Sequence, residues 1–192
     1  MANRIMLNQT SYHGAGAISE LPTEVKSRGL KKALICCGPT LLRHGVIARV
    51  TDVMDAAGLS YEIYSDIKPN PTIENVTDGV AAFKAAGADY LIAIGGGSPM
   101  DAAKAMWVFY EHPEKTFDDI KDPFTIPKLL NKAIFAAIPS PSGTASEVTA
   151  FSAITDYKTL VKYPLADYEL TPDVAIIDPQ FCTSMPKSIT AD

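Results

Sequence analysis

The feature that most constrains the fold is a regular alternation of short apolar segments with segments of helical periodicity. Three segments, at 32–37 (KALICC), 89–94 (DYLIAI) and 133–138 (AIFAAI), have the length of strands and carry continuous apolar runs. Strands of this kind are covered on both faces, as in parallel sheets. Helical segments between such strands imply right-handed crossovers. The sequence therefore predicts a Rossmann-like α/β fold, with a mostly parallel sheet and helices on both faces.

Turn residues and periodicity predict the remaining elements. Thr72 is expected to cap a helix that begins at Ile73, and Gly87 to end it. The polar segment 111–130 contains three prolines and little apolar periodicity, which predicts a surface excursion. Predicted helices cover 18–26, 46–57, 73–86 and 98–110; predicted strands cover 61–64 and 174–177; and an extended segment at 147–155 forms a hairpin with 160–163.

Composition limits the class of protein. A chain of 192 residues that is 47% hydrophobic can offset its folding entropy, which excludes a disordered protein. The length fits one domain, 1–192. Acidic residues outnumber basic ones, 22 to 17, which argues against nucleic acid or an anionic membrane as a partner. No apolar run is long enough to span a membrane and the N-terminus lacks signal-peptide features, so we expect a cytoplasmic protein.

Cysteine and histidine are too scattered to predict a metal site in this chain. Cys36 and Cys37 are adjacent in a predicted strand, so their side chains point to opposite faces and cannot bind one ion together. With Cys182 they are too few for a disulfide framework and fit small buried residues in a reducing compartment. The histidines lie far apart, at His13, His44 and His112.

The strongest functional signal is the run DYLIAIGGGSPMD, which ends at Asp101. A buried strand leads into Gly95-Gly96-Gly97, and a helix follows at once, with Ser98 as its expected cap and Pro99 in its first turn. Glycines let a ligand approach the backbone, and a helix N-terminus offers free N–H groups to an anion. The run therefore predicts a phosphate or pyrophosphate site, in which Asp101 bonds ligand hydroxyls. The alternative is an ordinary tight turn between strand and helix.

A second polar loop follows the predicted strand at 133–138. It carries four hydroxyl side chains that can bond phosphate or ribose oxygens, at Ser140, Ser142, Thr144 and Ser146. The carboxyl ends of parallel strands meet at one crevice, so both loops are expected to face it. A polar loop without a ligand is the alternative.

A third position bears on which dinucleotide would bind. In dinucleotide folds an acidic residue near the end of a strand bonds the adenosine ribose and repels a 2′-phosphate. The candidate position here is Gly38, after the strand at 32–37, and it has no carboxylate. This absence leaves room for NADP, although Gly38 can equally belong to a simple turn.

The C-terminal sequence suggests an interrupted element. Ser184 and Pro186 resemble a helix entry, and 187–192 would then form fewer than two helical turns. A turn so short is costly to nucleate alone. We therefore expect a domain truncated at the start of a helix near 186–192.

Taken in order, these motifs resemble the iron-containing, or group III, alcohol dehydrogenases. The family's G-G-G-S-x-x-D-x-x-K run matches 95–104, with Lys104 as its lysine. Its N-P-T matches 70–72, and its P-T-T-x-G-T-x-S-E matches 139–147. Pro141 replaces one of the usual threonines and removes a hydroxyl donor.

The resemblance implies an N-terminal dinucleotide-binding domain that holds NAD or NADP. It places the pyrophosphate on Gly96, Gly97 and Ser98, and gives cofactor contacts to Asp101, Ser140 and Thr144. Asn70 would lie near the adenosine side and Lys162 near the nicotinamide ribose. Gly38 stands where NAD-preferring members commonly carry aspartate, so the resemblance also allows NADP.

The resemblance further implies that a second, all-helical domain is absent from this chain. In the family that domain supplies one aspartate and three histidines to Fe²⁺ or Zn²⁺, and the metal polarises a small alcohol during hydride transfer. No catalytic residue or metal ligand can therefore be assigned here, and Asp192 is not one. The segment Ile5–Asn8 would pair with a second copy in a homodimer, or within its own chain.

Three functions are open at this point. The leading hypothesis is the cofactor-binding domain of a metal-dependent alcohol dehydrogenase, catalytically incomplete alone. A sibling of the glycerol-dehydrogenase or dehydroquinate-synthase type is the second. A non-catalytic nucleotide-binding module is the third.

Overall fold

The computed structural model of the chain describes residues 6–183 and Met185, and a six-stranded sheet forms its centre. The strands are β1 (Thr10–His13), β2 (Lys32–Cys36), β3 (Ser60–Tyr64), β4 (Tyr90–Gly95), β5 (Ile134–Pro139), β6 (Phe151–Asp156), β7 (Val161–Ala166) and β8 (Val174–Ile177). The helices are α1 (Leu21–Ser27), α2 (Pro39–Arg43), α3 (Ala48–Ala56), α4 (Ile73–Ala86), α5 (Gly97–Glu111) and α6 (Phe117–Ile120). Short 3-10 turns lie at Ala17–Glu20, Ser146–Val148, Tyr168–Leu170 and Pro179–Cys182.

The sheet has the order β1-β8-β5-β4-β2-β3, and every pair in it is parallel. β6 and β7 form a separate antiparallel hairpin. This arrangement confirms the predicted Rossmann-like α/β fold and the predicted hairpin. Most predicted strands and helices match observed ones to within a few residues.

Helices cover both faces of the sheet, as the apolar strands predict. Consecutive strand residues point to opposite sides, since Leu34 packs in one buried cluster and Ile35 in the other. α4, α5 and the hairpin cover the first face, and α1 and α3 cover the second. Cys36 and Cys37 also divide between the two clusters, and both are free thiols.

Local capping explains where α4 begins. The Thr72 side chain accepts a hydrogen bond from the Asn75 N–H at 3.1 Å, which confirms the predicted cap. Gly87 ends the helix in the left-handed conformation at φ 59°. Helix α2 was not predicted, because its five residues are too few to show periodicity.

The segment 111–130 lies at the surface, as predicted, since more than half of its residues are exposed. It also contains α6, and Ile120, Ile126 and Leu129 are buried. The Ile126 N–H donates to the Asp167 carboxylate at 3.1 Å, which connects the segment to the rest of the protein. These three apolar residues were not predicted to be buried, because they are too widely spaced to form a periodic pattern.

The chain's N-terminal strand pairs within its own chain. Thr10–His13 lies parallel to β8, in register from Thr10 with Val174 to His13 with Ile177. Of the predicted pairing segment Ile5–Asn8, Ile5 lies outside the described residues and the rest forms no strand. The predicted helix near 186–192, with its entry at Ser184, also lies outside them.

Candidate functional site

The sheet order creates a crevice at the carboxyl ends of β2 and β4. These strands are neighbours, yet the chain passes from β2 outward to β3 and from β4 in the opposite direction to β5. In open α/β sheets, ligands bind where neighbouring connections diverge in this way. The loops after β2, β4 and β5 are those that the sequence singles out.

The turn after β4 requires glycine at its first position. Gly95 has φ +141°, a conformation that side chains rarely adopt. A Cβ there would lie 2.8 Å from Pro99 Cγ and 3.3 Å from Leu41 Cδ1. Gly95 therefore lets β4 turn sharply into α5 while α2 packs alongside.

Helix α5 begins earlier than predicted. Gly96 occupies the N-cap position and no side chain caps the helix, so the predicted cap by Ser98 is wrong. Pro99 is the third helical residue, a position where its missing N–H costs nothing. Ser98 instead accepts a hydrogen bond from the Asn70 N–H at 3.3 Å through its Oγ. Asp101 consequently lies beyond the position that a capping box requires.

The uncapped start of α5 is what a bound anion needs. The N–H groups of Gly97 and Ser98 are in the first turn and have no acceptor within the helix. A Cβ on Gly97 would lie 3.9 Å from Ser146 Oγ and 4.0 Å from Asp101 Oδ2, without a clash. The helix N-terminus thus opens onto a space bounded by a hydroxyl and a carboxylate.

The loop after β5 packs directly against this turn, as predicted. The Ser140 N–H donates to the Gly95 carbonyl at 3.1 Å. A Cβ on Gly96 would lie 3.2 Å from Pro141 Cγ and 3.8 Å from Thr144 Cγ2. Pro141 therefore contributes an apolar contact where the family pattern has a hydroxyl. Ser140 is buried, whereas Ser142 and Thr144 are exposed.

Lys162 and Asn70 join the same group of residues. The Lys162 Nζ donates to the Asn70 Oδ1 at 3.1 Å, across 92 positions in the chain. Asn70 holds a left-handed backbone at φ 52°, which asparagine tolerates better than most residues. Residues predicted from separate motifs are thus in direct contact.

Asp101 is a perturbed acid in this group. Burial raises the pKa of its carboxyl to about 6. A backbone hydrogen bond from Ala153 and the charges of Lys104 and Lys162 lower the pKa, but burial outweighs them. A carboxylate that burial disfavours gains from a ligand that donates hydrogen bonds to it. Asp101 is therefore suited to bonding hydroxyl groups.

Gly38 lies at the carboxyl end of β2 and caps α2. Its backbone is ordinary extended chain, with φ −82° and ψ 154°. A Cβ there would meet only the Ile67 carbonyl, at 3.6 Å. The position accepts a side chain without strain, so the absence of a carboxylate is not imposed by the fold.

Lys104 is the lysine of the G-G-G-S-x-x-D-x-x-K run, but the sequence alone assigns it no role in the site. Its side chain is fully buried, and burial lowers its pKa to about 8. Its Nζ donates to three carbonyl oxygens of the segment that follows the β5 loop. The sequence signal for a structural role is that Lys104 stands alone between alanines in a mostly apolar helix.

Other features of the described residues lie apart from this site. Among them, no group of three histidine, cysteine, aspartate or glutamate side chains is placed to hold a metal ion. None of their helices has the length and apolarity to cross a membrane. A groove of about 380 Å³ is lined by α4, the end of α5 and 113–117, and contains none of the predicted site residues.

Comparison with known families gives a match over most of the chain. The family model for iron-containing alcohol dehydrogenase matches residues 8–179. The NADPH-dependent butanol dehydrogenase of Clostridium saccharobutylicum is 50% identical over 188 residues, which cover 98% of this chain and 48% of that protein. The lactaldehyde reductase of Escherichia coli K12 is 45% identical over 192 residues, covering 100% of this chain and 50% of that protein.

Solved structures agree with the fold. A 1,3-propanediol oxidoreductase superimposes with a TM-score of 0.92 at 28% identity, covering 100% of this chain and 49% of that one. An iron-containing alcohol dehydrogenase from Thermococcus thioreducens gives a TM-score of 0.86 at 34% identity, covering 97% and 49%. The chain therefore spans about half the length of the relatives that it matches.

Proposed function

Because the chain belongs to the iron-containing alcohol dehydrogenase family, we propose that it is the dinucleotide-binding part of an NAD(P)-dependent alcohol dehydrogenase. The observation that carries the proposal is the uncapped N-terminus of α5, which opens between the glycine turn and the β5 loop. A bound dinucleotide would supply the acceptor or donor of a hydride. The residues of this chain bind and orient it.

We assign the binding contacts from the geometry of the site. The N–H groups of Gly97 and Ser98 receive the pyrophosphate, which the dipole of the fifteen-residue helix α5 attracts. The Asp101 carboxylate accepts hydrogen bonds from sugar hydroxyls, and the hydroxyls of Ser140 and Thr144 donate to sugar or phosphate oxygens.

The remaining contacts come from more distant parts of the chain. Lys162 adds a positive charge on the hairpin side and is held by Asn70. Ser142 is the outermost hydroxyl of the loop and contributes a solvent-exposed contact.

The substrate class follows from the relatives. Two of them are named for butanol and lactaldehyde, so a small alcohol or aldehyde is the proposed substrate of the complete enzyme. Among the described residues, no group of three or more histidine, cysteine, aspartate or glutamate side chains is placed to hold a metal ion. Fe²⁺ or Zn²⁺ would act only in a complete enzyme, and this chain alone is proposed to turn over no alcohol.

Gly38 leads us to propose that NADP binds as well as NAD. An aspartate at this position would repel a 2′-phosphate, and a glycine does not. One of the similar proteins is named as NADPH-dependent. We propose neither nucleic acid nor a membrane as a partner. We propose that the protein forms a homodimer and is cytoplasmic.

Two measurements on the purified chain test the proposal. Titration calorimetry with NADP⁺ and NAD⁺ is expected to show one dinucleotide per chain. Mixing the chain with Fe²⁺, NADP⁺ and short alcohols is expected to give no reduced cofactor, as measured by the absorbance of reduced nicotinamide. No binding of either dinucleotide would refute the cofactor assignment, and robust reduction would refute the assignment of an incomplete enzyme.

A further inference from the structure

Lys104 is a buried cation whose hydrogen-bonding capacity is completely used. It lies in α5 with no exposed surface. Its Nζ donates to the backbone carbonyls of Ser146 at 2.8 Å, Thr149 at 2.6 Å and Phe151 at 2.9 Å. An ammonium has three N–H donors, so each donor is paired with one carbonyl. Three charge-assisted hydrogen bonds offset part of the cost of burying the charge.

The three carbonyls belong to the segment that joins the β5 loop to the hairpin. Ser146 ends the loop that packs on the glycine turn, and Phe151 is the first residue of β6. Along the hairpin, Thr155 on β6 pairs with Lys162 on β7. Lys104 therefore holds a segment that lies between two sets of candidate cofactor contacts, those of the β5 loop and Lys162 on β7.

A second bond strengthens the same attachment. The Ser152 Oγ donates to the Asp101 carbonyl at 2.8 Å, one turn nearer the start of α5. The first half of α5, which also carries the N–H groups without an acceptor in the helix, is thus hydrogen-bonded both to the end of the β5 loop and to the hairpin.

The charged groups that face Lys104 come from two elements. Asp101 on α5 and Glu147 on the loop both raise the pKa of Lys104, but burial outweighs them and lowers it to about 8. Once deprotonated, the amine has two N–H donors for three carbonyls, and the third carbonyl faces a lone pair. The attachment is therefore weaker above that pH.

We propose that Lys104 is a positioning residue for dinucleotide binding, which sets the β5 loop and the hairpin against the N-terminus of α5 by holding the carbonyls of 146–151. The inference rests on the proposed function, because Lys104 acts through the dinucleotide site without touching the ligand. We expect that loss of the cation leaves the glycine turn intact but loosens the β5 loop and the hairpin.

The test compares Lys104→Met with Lys84→Met, an exposed lysine on α4. We expect Lys104→Met to bind NADP⁺ about ten-fold more weakly at pH 7, because three carbonyls lose their donors. Lys84→Met should bind like the wild type. Hydrogen exchange should rise at 146–151 in Lys104→Met, while the amides of β4 keep their protection.

A pH profile of the unmodified chain needs no variant and separates positioning from general stability. The Kd for NADP⁺ should rise about five-fold or more between about pH 7 and about pH 9.5, as Lys104 loses its proton. In folded Lys104→Met the Kd should be weak and constant over that range. Asp101 titrates at lower pH and does not contribute to this change.

The outcomes distinguish this inference from the proposed function. No binding by the wild type at pH 7 refutes both. Tight wild-type binding that is constant across the pH range, or Lys104→Met binding within about two-fold of the wild type, refutes the role of Lys104 alone. If Lys104→Met does not fold, the wild-type profile decides.

Discussion

The two ends of the parallel sheet use their polar groups in opposite ways. At the amino ends, three carboxylates accept hydrogen bonds from backbone N–H groups where strands begin. Asp89 accepts from Lys31 and Lys32 before β2, at 2.9 to 3.0 Å. Glu111 accepts from three successive N–H groups of 131–133 before β5, at 2.8 to 3.0 Å. Asp173 accepts from the Phe135 N–H at 2.9 Å, and also from the Gln9 side-chain amide at 3.0 Å.

At the carboxyl ends, the first N–H groups of α5 have no capping side chain as an acceptor, and glycines line the turn before the helix. Burial raises the pKa of the Asp101 carboxyl to about 6, although the Ala153 backbone donates a hydrogen bond to it. One end of the sheet thus pairs its N–H groups with carboxylates, and the other leaves the first N–H groups of α5 uncapped, at the proposed ligand site. Substitutions at the amino end should change stability, and those at the carboxyl end should change binding.

The largest expected effect is at the amino end, in Glu111→Ala. Removing the carboxylate leaves three backbone N–H groups without acceptors, so the free energy of unfolding should fall by about 3 kcal/mol. Urea denaturation measures this loss. Glu114→Ala, at an exposed partner of His112, is the control and should change it little. Where Glu111→Ala remains folded, an altered Kd for NADP⁺ would contradict the division between the two ends.

Gly97→Val should give the largest change in binding. A Cβ at Gly97 meets no atom closer than 3.9 Å, so the fold should persist. The added methyl groups extend into the space before the helix N–H groups, and NADP⁺ should bind about thirty-fold or more weakly. Calorimetry measures the loss. The control is Ala57→Val, at the end of α3 and remote from the site. Gly58→Val is a poor control, because the φ of Gly58 is +69° and a side chain there would be strained.

Asp101→Asn should move stability and binding in opposite directions. The folded-state pKa of about 6 exceeds the ordinary value of 3.8, so this carboxyl favours folding below pH 4 and loses that contribution as pH rises through about 6. At pH 7 the uncharged Asn should therefore raise the free energy of unfolding by about 1 kcal/mol. The gain should vanish near pH 4.

The same variant should bind NAD⁺ about five-fold more weakly at pH 7, because it lacks the carboxylate acceptor. Wild-type affinity for NAD⁺ should rise from about pH 5 to about pH 7 as the carboxylate forms, and the variant's affinity should not. NAD⁺ is chosen because a 2′-phosphate would titrate in the same range. A pH-independent wild type would show that Asp101 does not contact the ligand.

The smallest expected effect is a change of preference in Gly38→Asp. The backbone at Gly38 accepts a side chain without strain, so stability should be unchanged. The new carboxylate should weaken NADP⁺ about three-fold and leave NAD⁺ nearly unaffected. Thermal-shift titrations measure both, with Gly38→Asn as the uncharged control. Equal weakening of the two dinucleotides would show that the 2′-phosphate does not lie near this position.

The sequence predicted the sheet because its strands are covered on both faces and read as continuous apolar runs. It also predicted which loops meet, since loops that follow parallel strands share one edge. The start of α5 escaped prediction because its N-cap is Gly96, with no capping side chain to mark it. The role of Lys104 escaped because its acceptors lie 42 to 47 residues away. Local patterns identify elements, whereas partners across the fold decide which side chains are held.

The most direct test of this account is to map dinucleotide binding on the ¹⁵N-labelled chain by NMR. With NADP⁺, the amide signals of 95–101 and 140–146 should shift. Those of 31–32, 131–133 and Phe135, where carboxylates already accept the N–H groups, should remain in place. Shifts concentrated at the amino ends of the strands, or around the groove at 113–117, would contradict the assignment of the carboxyl end as the binding site.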